Sequence, residues 1–127
     1  MRRHARILLV GAALALGWAC GGAFETPVRT PGSVGATLVT DTEKFAGGVR
    51  PHIEALAEHL QEELGLDPGE YYVNHIVDRY TNMFTFTLWH RAAFEPKYAG
   101  VSNPGGKCFT LTYDPDTRAF SKPRYWP

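Results

Sequence analysis

Residues 83–90 read Met-Phe-Thr-Phe-Thr-Leu-Trp-His. Phe84, Phe86 and Leu88 fall on one side of an extended chain, and Thr85, Thr87 and Trp89 on the other. Aromatic and β-branched residues in strict alternation specify a strand with one face buried and one face open. The pattern returns downstream in Lys107–Tyr113, where Phe109, Leu111 and Tyr113 share a side. Upstream, Tyr71–Tyr80 is rich in the same residue types. Thr81-Asn82 separates the first two runs and suits a hairpin turn, because Asn tolerates positive φ. Asp114-Pro115-Asp116-Thr117 is a second turn, with Pro at a favoured position. A last strand is expected over Arg118–Lys122, with Pro123 ending its pairing or marking an edge.

Ahead of the strands, Phe45, Val49, Ile53, Leu56, Leu60 and Leu64 recur at spacings that build one apolar helical face. Glu54, Glu58 and Glu62 run along another face, as a solvated stripe would. Gly65 and Pro68 terminate the helix. Thr40-Asp41-Thr42-Glu43 has the form of a capping box. Gly47, Gly48 and Pro51 leave two readings of the start: Pro51 opens the helix in its first turn, or a helix from Asp41 kinks there. Pro51–Leu64 is helical in both.

The expected fold is therefore α+β, one amphipathic helix packed on a four-stranded antiparallel sheet. In element order, over about residues 41–127, this is similar to the cystatin-like arrangement. The Gln-x-Val-x-Gly hairpin of the inhibitor family is absent, so the likeness implies no protease inhibition.

The N-terminal third reads differently. Met1–Arg6 carries Arg2, Arg3 and Arg6, and Ile7–Ala19 is uncharged and rich in Leu and Ala. Such a run is shorter than the roughly 20 residues that span a bilayer, and it fits the apolar core of a secretory signal peptide. Gly17-Trp18-Ala19-Cys20 resembles the lipobox of bacterial lipoproteins in Ala19 and Cys20. It departs from it in the bulky Trp18 and in Leu16, which stands one position early. The resemblance implies a lipid attached at Cys20 and a protein held at a membrane surface, in the periplasm or at the cell surface. Ordinary cleavage after Ala19 or Ala23, giving a secreted soluble chain, is the alternative. The expected division is a signal peptide at 1–19, a flexible tether at 20–39 rich in Gly and Pro, and one α+β domain at 40–127.

Charge narrows the function classes. Of thirteen basic residues three lie in the leader, while all thirteen acidic residues follow Cys20, so the remainder carries ten against thirteen, net −3. A nucleic-acid binder needs a basic face instead. Cys108 is the only other cysteine: a buried thiol if Cys20 is acylated, or a disulfide partner if Cys20 stays free. His52, His59, His75 and His90 lack zinc-pair spacing. Gly100-Val-Ser102-Asn-Pro104 misses a nucleophile elbow at its last glycine. Gly100 to Lys107 misses a phosphate loop by one residue, and no helix follows it. No cofactor is expected.

Arg91–Gly106 is a long loop containing Pro96, Gly100, Pro104, Gly105 and Gly106, and loops of this length are often functional. Trp89, Arg91, Phe94, Lys97 and Tyr98 cluster at its start. Aromatic residues with Arg anchor binding surfaces, so these five are the candidate contact residues for a protein partner. Tyr125-Trp126 reads as packing on a sheet edge. The leading expectation is an exported, non-enzymatic binding domain. The alternative is a ligand-binding or enzymatic pocket on the concave sheet face, with His75 or His90 in acid–base work.

Overall fold

A computed structural model describes residues 27–127. The signal peptide, the Cys20 lipid site and any Cys20–Cys108 disulfide lie outside the described residues. The described chain is α+β, with one α-helix and one antiparallel sheet. Strand β1 is Thr37–Leu38, helix α1 is Arg50–Glu62, β2 is Tyr71–Val77 and β3 is Phe84–His90. Strand β4 is Phe109–Asp114, β5 is Ala119–Phe120 and β6 is Arg124–Tyr125. The sheet order is β1-β2-β3-β4-β5, and β6 pairs with β4 beside β5.

The alternation that defines β3 also sets the two faces of the sheet. Phe84, Phe86 and Leu88 lie opposite Tyr113, Leu111 and Phe109 of β4, and all six are buried. Ile53, Leu56 and Leu60 of α1 are fully buried in the same core as these rows. A buried aliphatic side chain contributes about 2 kcal/mol by removal from water alone. The opposite face pairs Thr85 with Thr112 and Thr87 with Thr110, hydroxylated side chains that tolerate partial solvent contact.

The sheet has six strands where the sequence pattern leads to four, the two extra ones being the short β1 and the split of the last strand. Several boundaries differ as well, with α1 ending at Glu62 and β2 at Val77. The Thr40 capping box does not start α1. Thr42–Lys44 forms a separate 3-10 turn, and α1 begins at Arg50 with Pro51 in its first turn. Arg50 ties the two together, donating through Nε to Thr42 O (3.0 Å) and through Nη2 to Phe45 O (3.0 Å). Pro51 lacks an N–H, which only the first helical turn can spare. The domain also starts before residue 40. Gly32–Val34 is a 3-10 turn, β1 pairs Thr37 with Val73, and Val39 is fully buried, so this part of the expected tether belongs to the folded unit. Finally, the last strand is split at Ser121–Pro123. There the Ser121 Oγ accepts from Thr112 N (2.9 Å) while Ser121 N donates to Thr112 O (2.9 Å). Pairing then resumes in β6, so Pro123 marks a break and not an end.

The two hairpin turns repeat one design. Asp78-Arg-Tyr-Thr-Asn82 and Asp114-Pro-Asp-Thr-Arg118 each place the fifth residue at positive φ, 61° at Asn82 and 62° at Arg118. In each, the Asp carboxylate accepts from the amide two residues on, at 2.8 Å to Tyr80 N and 2.9 Å to Asp116 N. In each, the fifth amide closes on the Asp carbonyl at 2.7 Å. Asn suits the left-handed position and Arg does not. Arg118→Gly should therefore raise stability by about 1 kcal/mol. Asp114→Ala should lower it by about 1 kcal/mol. Urea unfolding midpoints check both, and a lower midpoint for Arg118→Gly contradicts the strain argument.

Candidate functional site: the loop end of the sheet

The C-terminal end of β3 meets the start of β2, the start of β4 and the 91–106 loop. The expected structureless loop is instead a chain of 3-10 turns at Arg91–Phe94, Pro96–Tyr98 and Pro104–Gly106. Three side chains hold it. His90 Nδ1 accepts from Ala92 N (3.1 Å), capping the first turn. Asn103 binds the backbone of Cys108 in both directions, accepting from N (2.8 Å) and donating to O (3.3 Å), and also donates to Trp126 O (2.9 Å). Arg29 donates through Nε to Ala93 O (3.2 Å) and through Nη2 to Val101 O (2.6 Å), while its guanidinium lies 5.1 Å from the Trp89 ring centroid. Neither Arg29 nor Asn103 is apparent in the sequence, because Arg29 acts on the distant Ala93 and Val101 and Asn103 links the local Cys108 backbone to the distant Trp126.

The five candidate residues do not converge on one pocket. Trp89 and Phe94 are half-buried in an aromatic cluster on the Thr face. Trp89 meets Trp126 edge-on at 4.7 Å and Phe94 at 5.9 Å, and Phe94 meets Tyr72 at 5.2 Å. These contacts cover the end of the sheet. Trp126 adds a hydrogen bond from Nε1 to Thr110 Oγ1 (3.1 Å), so the C-terminal aromatic packs as expected. Arg91 is exposed on the other side of β3, 3.6 Å from Glu70. Lys97 is exposed above the Tyr98 ring and 3.9 Å from Glu95. The exposed side chains among the five are thus Arg91 and Lys97, each beside a glutamate, over a supporting aromatic cluster.

The alternative pocket on the concave face meets two obstacles. His75 lies opposite Phe86 and His90 opposite Tyr71, four register positions apart or about 13 Å along the sheet. Between them that face is filled by Leu56, Leu60, Phe84, Phe86 and Leu88. His75 stacks on Phe84 (6.1 Å), and burial holds its pKa below the ordinary value. His90 Nδ1 is committed to a hydrogen bond, while Nε2 is buried without a hydrogen-bond partner. With Nδ1 accepting from Ala92, the proton sits on Nε2, which faces Glu70 Oε1 at 3.5 Å, an ion-pair distance with poor hydrogen-bond geometry. Its one lone pair is occupied, so neutral His90 has none left to act as a general base. Burial lowers its pKa first and Lys107 adds to this, while Glu70 opposes.

Two concavities flank the end. A recess of about 360 Å³ is lined by Leu66, Glu70, Tyr71, His90, Lys107 and Tyr125. Tyr71 donates its hydroxyl to Lys107 O (3.0 Å), and burial pushes that phenol up to about 12. A wider groove of about 600 Å³ runs between α1 and β5, walled by Glu54, Glu58 and Glu62, with His59 stacked on Phe120 at 4.2 Å. The glutamate stripe is exposed, as a solvated helix face is expected to be, and it borders this groove. Cys108 is fully buried, its thiol is raised by burial, and its Sγ accepts from His90 N (3.4 Å). It is a free, inert thiol among the described residues.

The histidines give a pH prediction. His59, His75 and His90 each have a lowered folded pKa, with burial as the first cause. The unfolded chain then binds more protons than the folded one below about pH 6.5, and stability falls as pH drops through the folded values. His90→Asn keeps a cap acceptor for Ala92 N without a titrating group. Its stability should change less between pH 7 and pH 5 than that of wild type, by thermal or urea unfolding. An unchanged pH slope contradicts the assignment of His90 as a neutral cap.

No family model, curated protein or solved structure matches this chain, so its functional reading rests on its own residues.

Proposed function

We propose that this chain is an exported, lipid-anchored cell-envelope protein whose folded part is a non-enzymatic contact domain, working through the loop end of its sheet. The observation that carries this reading is the pinned 91–106 loop. Arg29, His90 and Asn103 spend their polar groups on its backbone, and it presents Arg91 and Lys97 to solvent from a fixed frame. Preorganised loops lose little entropy on binding, whereas a catalytic site needs a free base or nucleophile. Neutral His90 offers no free lone pair, and Cys108 is buried and protonated. The helix-then-sheet order, similar to the cystatin-like arrangement, lends no activity to this reading.

Two experiments test it. Intact mass of membrane-extracted protein should show an acylated chain of 108 residues beginning at Cys20, counted from the sequence. A soluble chain beginning at Gly21 or later removes the anchor. A photocrosslinking residue placed at position 97 should yield adducts in the cell envelope, and one placed at position 80, at the opposite end of β3, should yield none. Equal adducts at both positions contradict the loop end as the contact surface.

A further inference from the structure

We propose that the loop end rests on an anionic lipid surface, so that anchor and domain hold the same bilayer. This names the partner of the contact surface and rests on the Cys20 anchor reading for its geometry. Three observations carry it.

The first is where the chain enters the fold. Pro27 lies seven residues beyond Cys20, a reach of at most about 25 Å. Two residues later Arg29 is fastened to Ala93 and Val101 of the loop. A folded unit of this size is itself about 30 Å across. Only a tether drawn nearly straight would let the hairpin turns face the bilayer, so a membrane-held Cys20 brings the loop end down to it.

The second is charge. Arg29, Arg91, Lys97, Lys107 and Arg124 lie on the loop or on the segments packed against it, facing Asp67, Glu70 and Glu95 as the acidic residues there. The remainder of the described chain carries nine acidic against five basic residues, with Glu54, Glu58 and Glu62 along the groove and Asp78, Asp114 and Asp116 beside Arg79 and Arg118 at the turns. A domain of negative net charge is thus polarised, its positive end beside the tether. Each cation near an anionic membrane strengthens binding by about fivefold.

The third is exposed apolar surface. Val28, Val101 and Tyr125 are 46%, 43% and 52% exposed and lie at this end; Ile76, Val77 and Tyr80, at 66%, 43% and 91%, give the hairpin end comparable apolar surface, so the tether and the charge select between the two ends. Partly exposed aliphatic and tyrosine side chains between cations suit the headgroup layer, where apolar bodies bury and charged tips stay wet.

The test uses the exported chain with its leader removed and Cys20→Ser, so that no acyl chain contributes. It is sedimented with vesicles of phosphatidylcholine alone or mixed with phosphatidylglycerol. The expected result is binding to the anionic vesicles only, released by high salt. Lys97→Glu with Lys107→Glu should weaken it about tenfold or more. Arg79→Glu with Arg118→Glu, at the opposite end, should leave it within about twofold, as a charge change beyond the Debye length would. Circular dichroism confirms that each variant is folded. Binding to neither vesicle, equal binding to both, or equal loss from both double variants overturns the proposal. If intact mass shows no acylation while the vesicle result holds, the anchor reading fails and the lipid-contact surface stands.

Discussion

The structure depends on one packing contact, the Phe84-Phe86-Leu88 row of β3 buried against Ile53, Leu56 and Leu60 of α1. Strand β3 is central, paired on both sides, and its register passes to both neighbours. A slip of one residue would turn the phenylalanines outward and the threonines into the core. Because those side chains fill the concave face, the chain has little room there for a ligand. The proposed contact surface lies at the rim, where strands end and backbone leaves the sheet.

The rim is built with side chain-to-backbone hydrogen bonds. His90 lies at the end of β3, buried like the core row before it, and its ring turns to cap the first loop turn. Asn103 fastens the far side of the loop to the start of β4 and to the C-terminus. Arg29 reaches from the N-terminal segment across Trp89 to two loop carbonyls. One end of the domain thereby joins three distant parts of the chain, and the entry point of the tether is among them. In the proposed arrangement the residues that hold this end together would also set its orientation relative to the anchor.

Much of this architecture is legible in sequence. The period of two in β3 and β4, the helical spacing from Ile53 to Leu60 and the positive φ at Asn82 all follow from local pattern. What was not legible depends on distant partners. Strand β1 is two residues long, too short for any periodicity, and exists because Tyr71 and Val73 offer an edge. The break at Ser121–Pro123 requires a side chain standing in for a backbone acceptor, which no propensity encodes. Composition alone leaves Trp89 and Phe94 open between a contact role and covering the end of the sheet, and their neighbours Tyr72 and Trp126 make them part of a packed cluster. Arg91 and Lys97 kept their exposure because their charges are cheaper in water. The Thr40 capping box had the right residues but preceded Gly47-Gly48 and Pro51, which admit a helix only afterwards.

Hydrogen exchange of the chain on bilayers tests the central claim most directly, because it reports on each end of the domain separately. With the exported chain held on phosphatidylglycerol-containing bilayers, amides in residues 94–107 should exchange more slowly than on phosphatidylcholine bilayers, and those in 78–83 should be unchanged. Slower exchange at 78–83 with none at 94–107 would mean that the domain faces the membrane the other way up, and the account of the loop end would be wrong.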